Sequence, residues 1–169
     1  TIPDGGATNM LYNNIGELRF VQNAQQAIDN SYSYTKYDAL GRVVEVGACN
    51  GSFTAAGVDV NLNNPVYPTS GCSEVVQTFY STPCPSPVVS QAFLQNRVSY
   101  TIAQNALAGD DIKTIYSYDA HGNVSELYQV IPRIGTKRVE YSYDLVSGNV
   151  LQVSYQAAQR DQFYHRYSY

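Results

Sequence analysis

Residues 37–43 read Tyr-Asp-Ala-Leu-Gly-Arg-Val, and this phrase decides the fold because the chain repeats it. Residues 118–124 read Tyr-Asp-Ala-His-Gly-Asn-Val, and residues 143–150 read Tyr-Asp-Leu-Val-Ser-Gly-Asn-Val, with one extra residue before the glycine. A looser copy at residues 12–18 has asparagine in place of the aspartate. A phrase that returns at a regular period predicts an array of similar small units rather than an enzyme built around one pocket.

The copies follow a period of about 25 residues, since Tyr12 and Tyr37 are 25 residues apart and so are Tyr118 and Tyr143. Tyr37 and Tyr118 are separated by 81 residues, or about three periods. We therefore expect the chain to be a section cut from a longer array. The expected divisions are repeats near 12–36, 37–47, 112–136 and 137–163, a truncated repeat at 164–169, and a Cys- and Pro-containing insert or degenerate repeats at 48–111.

Period-two alternation predicts a strand on each side of the turns. Between 138 and 143, and again between 151 and 155, β-branched, leucine and aromatic residues alternate with polar residues. The segments 112–118 and 124–130 show the same pattern. The residues between these strands have turn chemistry, because aspartate bonds the backbone two residues on and glycine adopts positive φ. Each repeat is therefore predicted to be a β-hairpin.

The predicted fold class is all-β. Because a lone hairpin is marginally stable in water, we expect each hairpin to pair with the next one. Successive hairpins would then form one continuous curling sheet with very little helix. The short helical candidates are Asn23–Asp29 and Ser90–Asn96.

Composition and missing motifs exclude several classes of function. A net charge of −4 with scattered basic residues argues against a nucleic-acid or anionic-membrane surface. The sequence has no apolar stretch of membrane-spanning length, and no signal peptide is visible at Thr1. It also lacks a Gly-x-Ser-x-Gly elbow, a Gly-x-Gly-x-x-Gly loop and a Walker loop. We expect no enzyme activity, no metal and no cofactor in this segment, with surface or packing roles for His121 and His165.

The repeated tyrosines and aspartates each have two interpretations. The tyrosines fit sheet packing, because they follow the strand alternation, but aromatic faces also stack on sugars. The aspartates fit turn capping, because each stands alone in its 25-residue period, but carboxylates also bind metals or act as general acids.

Cys49, Cys72 and Cys84 all fall in the segment 48–111. In a secreted protein, two of the three could form a disulfide and leave one free. Unpaired thiols are the second interpretation. A zinc site is the third, although no Cys-x-x-Cys knuckle is present.

The Tyr-Asp-x-x-Gly-Arg/Asn-Val phrase resembles the YD repeat of the Rhs (rearrangement hotspot) family. Four longer stretches resemble the large Rhs-repeat proteins of secreted bacterial systems, namely 93–100, 116–124, 140–150 and 161–169. The resemblance implies a β-sheet coiled into a hollow shell around a toxin or other C-terminal cargo. Related shells occur in insecticidal toxin complexes and, as adhesion modules, in teneurins. Self-cleaving members carry an Asp-Pro-x-Gly phrase, which is absent here, so no protease role is implied.

In this family resemblance the motif residues have structural roles, the tyrosines in packing and the aspartates and glycines in turns. They are Tyr37, Asp38 and Gly41, then Tyr118, Asp119 and Gly122, then Tyr143, Asp144 and Gly148. The leading hypothesis is a section of a shell that encapsulates or presents cargo, secreted from a bacterium or held at its surface. Its partners would be adjacent repeats of the same longer chain and the cargo polypeptide. The alternative is an adhesin-like module that binds glycans or cell surfaces.

Overall fold

Antiparallel β-structure dominates the chain. The structure is a computed structural model that describes residues 5–87, 89–105 and 109–169. Within these residues, eleven strands form a single open sheet whose strand order is the order of the sequence. The predicted all-β class, with hairpins that pair edge to edge, is therefore confirmed. Within the same ranges, no helix is long and apolar enough to cross a membrane.

The chain divides into two units. Unit 1 comprises the described residues of 1–77 together with 104–105, and unit 2 comprises those of 78–103 and 109–169. Unit 1 contains β1 (Asn9–Tyr12), β2 (Leu18–Gln22), α1 (Ala24–Ile28), β3 (Ser31–Tyr37), β4 (Val43–Asn50), a 3-10 turn (Asp59–Asn61) and the start of β5 (Cys72–Tyr80). Unit 2 contains the end of β5, then β6 (Val98–Ala103), β7 (Ile112–Tyr118), β8 (Val124–Ile131), β9 (Gly135–Tyr143), β10 (Val150–Tyr155) and β11 (Phe163–Arg166).

The first helical candidate is confirmed as α1, which a capping box begins. The Asn23 side chain accepts a hydrogen bond from the Gln26 backbone N–H at 2.8 Å, and the Gln26 side chain accepts one from the Asn23 N–H at 3.0 Å. This reciprocal pair satisfies two backbone donors that the helix itself leaves free. The helix is therefore a local feature of the connection between β2 and β3.

The long connection between β4 and β5, residues 51–71, covers one face of unit 1. Its Val58 is fully buried with Phe20, Tyr32, Tyr34 and Cys49. Tyr67 also belongs to this layer, because the Phe20 ring packs edge-on against the rings of Tyr32 and Tyr67. The connection thus supplies the second layer that a half-apolar sheet needs in order to form a core.

A buried arginine fixes this connection to the sheet. Arg19 is 3% exposed, and its guanidinium donates hydrogen bonds of 2.8–3.2 Å to four backbone carbonyls. One of these carbonyls belongs to Thr35 on β3, and the others belong to Leu62, Asn64 and Tyr67 of the connection. Burial lowers the pKa of Arg19, because the charged form loses water on entering the layer. The carbonyl oxygens replace that water.

A disulfide closes the same connection. Cys49 and Cys72 lie opposite each other on β4 and β5, with Cα atoms 4.0 Å apart, and their sulfurs are bonded. Cys84 of unit 2 is a free, buried thiol. Of the three cysteines, the two that β-sheet pairing brings into register are the ones that are linked.

A second long connection, residues 81–97 between β5 and β6, packs on unit 2. Cys84 in this connection is buried against Tyr100 of β6 and Ile115 of β7. The Gln91 side-chain amide donates to the Tyr116 carbonyl at 2.7 Å and to the Ser99 carbonyl at 3.0 Å. The Gln91 carbonyl oxygen in turn accepts from the Cys84 N–H at 2.7 Å. One amide therefore joins the connection to two strands.

The prediction of a second short helix at Ser90–Asn96 is wrong. These residues run in non-helical conformation beside β7, where the Ala92 N–H donates to the Ser117 hydroxyl at 3.0 Å. Phe93 and Asn96 have φ values of 54° and 58°, which a right-handed helix does not allow. Contacts with the sheet thus override a local preference for helix.

The disulfide should stabilise unit 1. Closing a loop of this length is worth about 3 kcal/mol in the chain-entropy model, so the C49S/C72S double variant should lose that much free energy of unfolding. Urea denaturation monitored by circular dichroism measures the loss. The C84A variant should keep the response to a thiol reductant, whereas the double variant should show none. Wild-type midpoints that do not change on reduction would contradict a stabilising bond.

Candidate functional site: the repeated Tyr-Asp turn

The Tyr-Asp phrase forms the same backbone turn in each clear copy. In the first, the Asp38 N–H donates to the Arg42 carbonyl at 2.9 Å and the Gly41 N–H donates to the Asp38 carbonyl at 3.0 Å. In the second, Asp119 donates to the Asn123 carbonyl at 2.9 Å and accepts from the Gly122 N–H at 3.1 Å. The turns thus close each hairpin with two backbone hydrogen bonds.

The third copy closes in the same way around its extra residue. The Asp144 N–H donates to the Asn149 carbonyl at 2.8 Å, and the Gly148 N–H donates to the Asp144 carbonyl at 2.9 Å. The three turn glycines, Gly41, Gly122 and Gly148, have φ values of 75°, 97° and 72°, a region that disfavours any residue with a Cβ. The glycine is therefore a steric requirement of the turn.

The motif aspartates use both carboxylate oxygens inside their own turns. Oδ1 of Asp38 accepts from the N–H groups of Leu40 and Arg42 at 2.9 and 3.0 Å, and Oδ2 accepts from the Arg42 guanidinium at 2.7 Å. Asp119 repeats the arrangement, with Oδ2 accepting from the side-chain amide of Asn123 at 3.0 Å. The Arg or Asn of the phrase is therefore the side-chain partner of the aspartate.

In the third turn, a serine takes that role. The Ser147 hydroxyl donates to Oδ2 of Asp144 at 2.7 Å, and Oδ1 accepts from the Val146 N–H at 3.1 Å. The looser first copy keeps the same bonds with an amide, because Oδ1 of Asn13 accepts from the N–H groups of Ile15 and Glu17. The shared element is a side-chain oxygen on the residue that follows the motif tyrosine. The Asn13 copy shows that this side chain does not need a charge.

The turns lower the pKa of all three aspartates. The hydrogen bond from Arg42 is the main cause for Asp38, and that from Ser147 is the main cause for Asp144. Burial alone would raise the pKa of Asp119, but hydrogen bonds from Asn123 and His121 outweigh it. These carboxylates are therefore ionised and fully engaged at neutral pH, which is the opposite of a general acid poised near pH 7.

The motif tyrosines tie each repeat to the one before it. The Tyr37 hydroxyl donates to the Leu18 carbonyl at 2.9 Å, and the Tyr143 hydroxyl donates to the Val124 carbonyl at 2.8 Å. In both pairs the acceptor is the last residue of the preceding copy of the phrase and the first residue of a strand. Burial raises the pKa of both tyrosines. The tyrosine thus acts as a link between consecutive turns.

The spacing of this link is nearly constant. Donor and acceptor are 19 residues apart for Tyr37, Tyr143 and Tyr169, and 20 apart for Tyr118, which donates to the Val98 carbonyl. Tyr169 follows the rule even though it lies outside the clear copies of the phrase, since it donates to Val150 at 3.2 Å. The link therefore describes the repeat better than the turn phrase alone.

The acceptor of Tyr118 reveals a degenerate repeat, which is one of the two alternatives that the sequence left open for residues 48–111. The Ser81 N–H donates to the Arg97 carbonyl at 3.1 Å, and the Ser81 hydroxyl accepts from the Asn96 N–H at 3.0 Å. Asn96 has a φ of 58°, as the turn glycines do. Residues 81–96 therefore stand where a clear copy has four or five residues. Tyr80 before them and Arg97-Val98 after them are the remaining signals in the sequence.

The structure does not gather the candidate residues into a reactive centre. Among the described residues, no group of three or more His, Cys, Asp or Glu side chains lies close enough to hold a metal ion. The cavity beside the turns at Asn13 and Asp38, of about 560 Å³, is lined by Glu17, Asp38 and Asn63, among others. Glu17 accepts from the Asn13 amide and Asp38 from Arg42, so both carboxylates serve their turns. These side chains can therefore hold the turns of the chain in register.

The chain has counterparts of similar structure among solved proteins. No family model and no curated protein matches it. It is similar to a chain of the Photorhabdus luminescens Tc holotoxin pore, solved with a point mutation in TccC3. The identity is 17% over 89% of this chain and 5% of that chain, with a TM-score of 0.55. This likeness shows that the two chains share a fold.

Two crystal structures of TcdB2-TccC3 are also similar to the chain. One is the structure of TcdB2-TccC3-TEV, and the other is that of TcdB2-TccC3 without the hypervariable C-terminal region. Their identities are 16% and 17% over 97% and 96% of this chain, with TM-scores of 0.42 and 0.41. Each match spans only 8% of the solved chain. The chain thus corresponds to a small part of the length of the structures that it matches.

Removing one tyrosine link should weaken unit 2. Y143F deletes the hydroxyl that binds the half-buried Val124 carbonyl, and we expect a loss of about 1 kcal/mol in the free energy of unfolding. Y141F is the matched control, since the Tyr141 hydroxyl has no hydrogen-bond partner among the described residues. Urea denaturation of both variants measures the difference. Equal losses would show that the link carries no special weight.

The turn aspartates should make stability fall in acid. Their folded pKa values lie below the ordinary 3.8, so their stabilisation is complete above that pH and is lost as pH falls through the folded values. The D38N/D119N/D144N variant keeps a side-chain acceptor at each turn but cannot titrate there. Its urea midpoint should therefore decline less steeply below pH 3.8 than that of the wild type. Parallel declines would contradict the assignment.

Proposed function

We propose that this chain is a wall section of an Rhs-type YD-repeat shell that encloses or presents a polypeptide cargo. The observation that carries the proposal is the tyrosine link, which joins the repeats of Tyr37, Tyr118, Tyr143 and Tyr169 to the preceding ones at a spacing of 19 or 20 residues. A link that reaches back by one repeat is useful only in an array, because its acceptor belongs to another unit. The proposed partners are accordingly further repeats of a longer chain and the cargo.

The likeness in fold to a chain of the Tc holotoxin pore supports this proposal. That protein is a toxin assembly by name, so a role in a toxin complex and a location outside the cell are the natural extension to this chain. The Tyr-Asp phrase supports the same family independently, because the turns use its residues as a repeating structural unit. The location we propose is extracellular or at the surface of a bacterium.

The proposed mechanism is steric. Backbone hydrogen bonds between neighbouring strands close the wall, and the tyrosine links hold successive hairpins in step. The turn carboxylates are saturated by their own turns, so they offer little to a substrate. We propose that this segment performs no catalysis and needs no cofactor, and that any toxin activity belongs to the cargo.

Imaging of the longer protein that contains this sequence tests the proposal. Cryo-electron microscopy should show a closed hollow particle, and density inside it should disappear when the C-terminal cargo segment is deleted. Limited proteolysis gives a second measurement, because the cargo should be protected in the intact particle and cleaved once the wall is opened. An extended rod, or a particle without an interior space, would overturn the proposal.

A glycan array measures the competing adhesin hypothesis. Under the shell proposal, the isolated chain should bind no glycan class above background. Specific binding that is lost when exposed tyrosines such as Tyr164 are replaced by alanine would favour a carbohydrate-binding module instead.

A further inference from the structure

The sheet of unit 2 has two chemically different faces in strands β7–β11. The pairing register places Ser117, Glu126, Glu140, Ser154 and Tyr164 in one row across five strands, and Tyr128 beside Arg138 in the next row. This is the polar face. Its five charged residues are Lys113, Glu126, Arg138, Glu140 and Arg166.

The opposite face is aromatic and aliphatic, and we call it the tyrosine face. One row crosses all five strands, and a second crosses three of them. The first row is Tyr116, Leu127, Val139, Tyr155 and Phe163, and the second is Tyr141, Val153 and His165. The only charged residue on this face of the described strands is Lys137, which forms a 2.7 Å ion pair with Asp161.

The connection 81–97 packs on the polar side of the sheet. Its Cys84 contacts Tyr100 and Ile115, which register places opposite each other on the same side as Tyr128. That side therefore has a second layer over β6 and β7. The buried cluster of unit 2 belongs to it.

The tyrosine face remains partly accessible to solvent. Tyr116, Leu127, Val139, Tyr141, Val153 and Tyr155 are all half-buried, and Phe163 at the end of the first row is 56% exposed. Antiparallel sheets commonly pack one face on a core and leave the other in solvent, and a contiguous apolar patch on the solvent side marks an interaction site. The tyrosine face is therefore a candidate docking surface.

The size and charge of the face select the occupant. Five strands about 4.8 Å apart make it about 19 Å wide, and two rows make it roughly 14 Å long, on the order of 300 Å². A stable dimer buries about 800 Å² of each partner, so this patch alone is too small to hold a second copy of the chain. The near absence of charge disfavours an acidic or basic partner, because such a partner would lose hydration without compensation.

We propose that the tyrosine face binds apolar segments of non-native polypeptide, weakly and without sequence specificity. The inference rests on the proposed function and deepens it, because it assigns the side of the wall that contacts the cargo. An unfolded chain exposes apolar side chains that a folded protein buries, and those side chains match this face. The connection 81–97 then lies on the side away from the cargo.

Binding of a short labelled peptide to the 169-residue chain tests the assignment. The probe is a fluorescein-labelled peptide of leucine, phenylalanine, serine and glycine. It is about six residues long, because an extended chain covers about 3.3 Å per residue and the face is about 19 Å wide. The counter-probe has asparagine in place of leucine and phenylalanine. Fluorescence anisotropy should show binding of the first peptide only.

The L127T/V139T variant removes an opposed apolar pair at the centre of the face while keeping side chains that favour strands. We expect its Kd for the peptide to be about tenfold higher than that of the wild type. The matched control is I134T/V146T, which makes the same type of change at turn residues that are 63% and 96% exposed. The control should bind as the wild type does. Circular dichroism verifies folding, and V153T replaces the double variant if that variant does not fold.

Two outcomes overturn the inference: a wild-type chain that does not bind the peptide, or a test variant that binds as tightly as the control. Neither outcome touches the imaging test, so a hollow particle with enclosed density would leave the shell in place with a different cargo-facing side. Conversely, peptide binding that follows the expected order, combined with a particle that has no interior, would keep the docking surface and refute the shell.

Discussion

The hydrogen bond from a motif tyrosine to the carbonyl that follows the previous turn is the constraint on which the rest of this structure depends. A hairpin closed by its own aspartate is complete as a turn, yet it contains nothing that fixes its position on its neighbour. The tyrosine adds that information, because its hydroxyl reaches one carbonyl, 19 or 20 residues back. A side chain thus adds a fixed spacing between consecutive turns to the register that backbone pairing defines.

Sequence alone predicted the parts of the fold that are local. The turns followed from aspartate and glycine at fixed positions, and the strands followed from alternation, because both depend on residues within a few positions of each other. The link of Tyr143 to Val124 was not predicted, since a strand pattern says which side a tyrosine occupies but not which carbonyl its hydroxyl reaches. The pairing of Cys49 with Cys72 was likewise open, because the register of β4 and β5 depends on the packing of the connection between them.

The failed helix prediction and the repeat that was not located both have their physical origin in the connection 81–97. Ser90–Asn96 contains good helix formers. However, the Gln91 amide forms hydrogen bonds with two strands of the sheet, and these outweigh the stability of a single helical turn. The repeat that begins at Tyr80 was not located within 48–111 because residues 81–96 separate its two halves in sequence, although hydrogen bonds rejoin them in space. In both places, tertiary contacts outweigh the local pattern on which sequence reasoning relies.

The divided turn at Ser81 and Asn96 shows that this architecture is open to growth. Because the bonds that end the hairpin connect residues on the two sides of the added stretch, new sequence enters at the turn without shifting the strands on either side. A lineage can therefore acquire insertions at such turns while the strands keep their order. Sequence diversity in proteins of this design should accumulate at the turns.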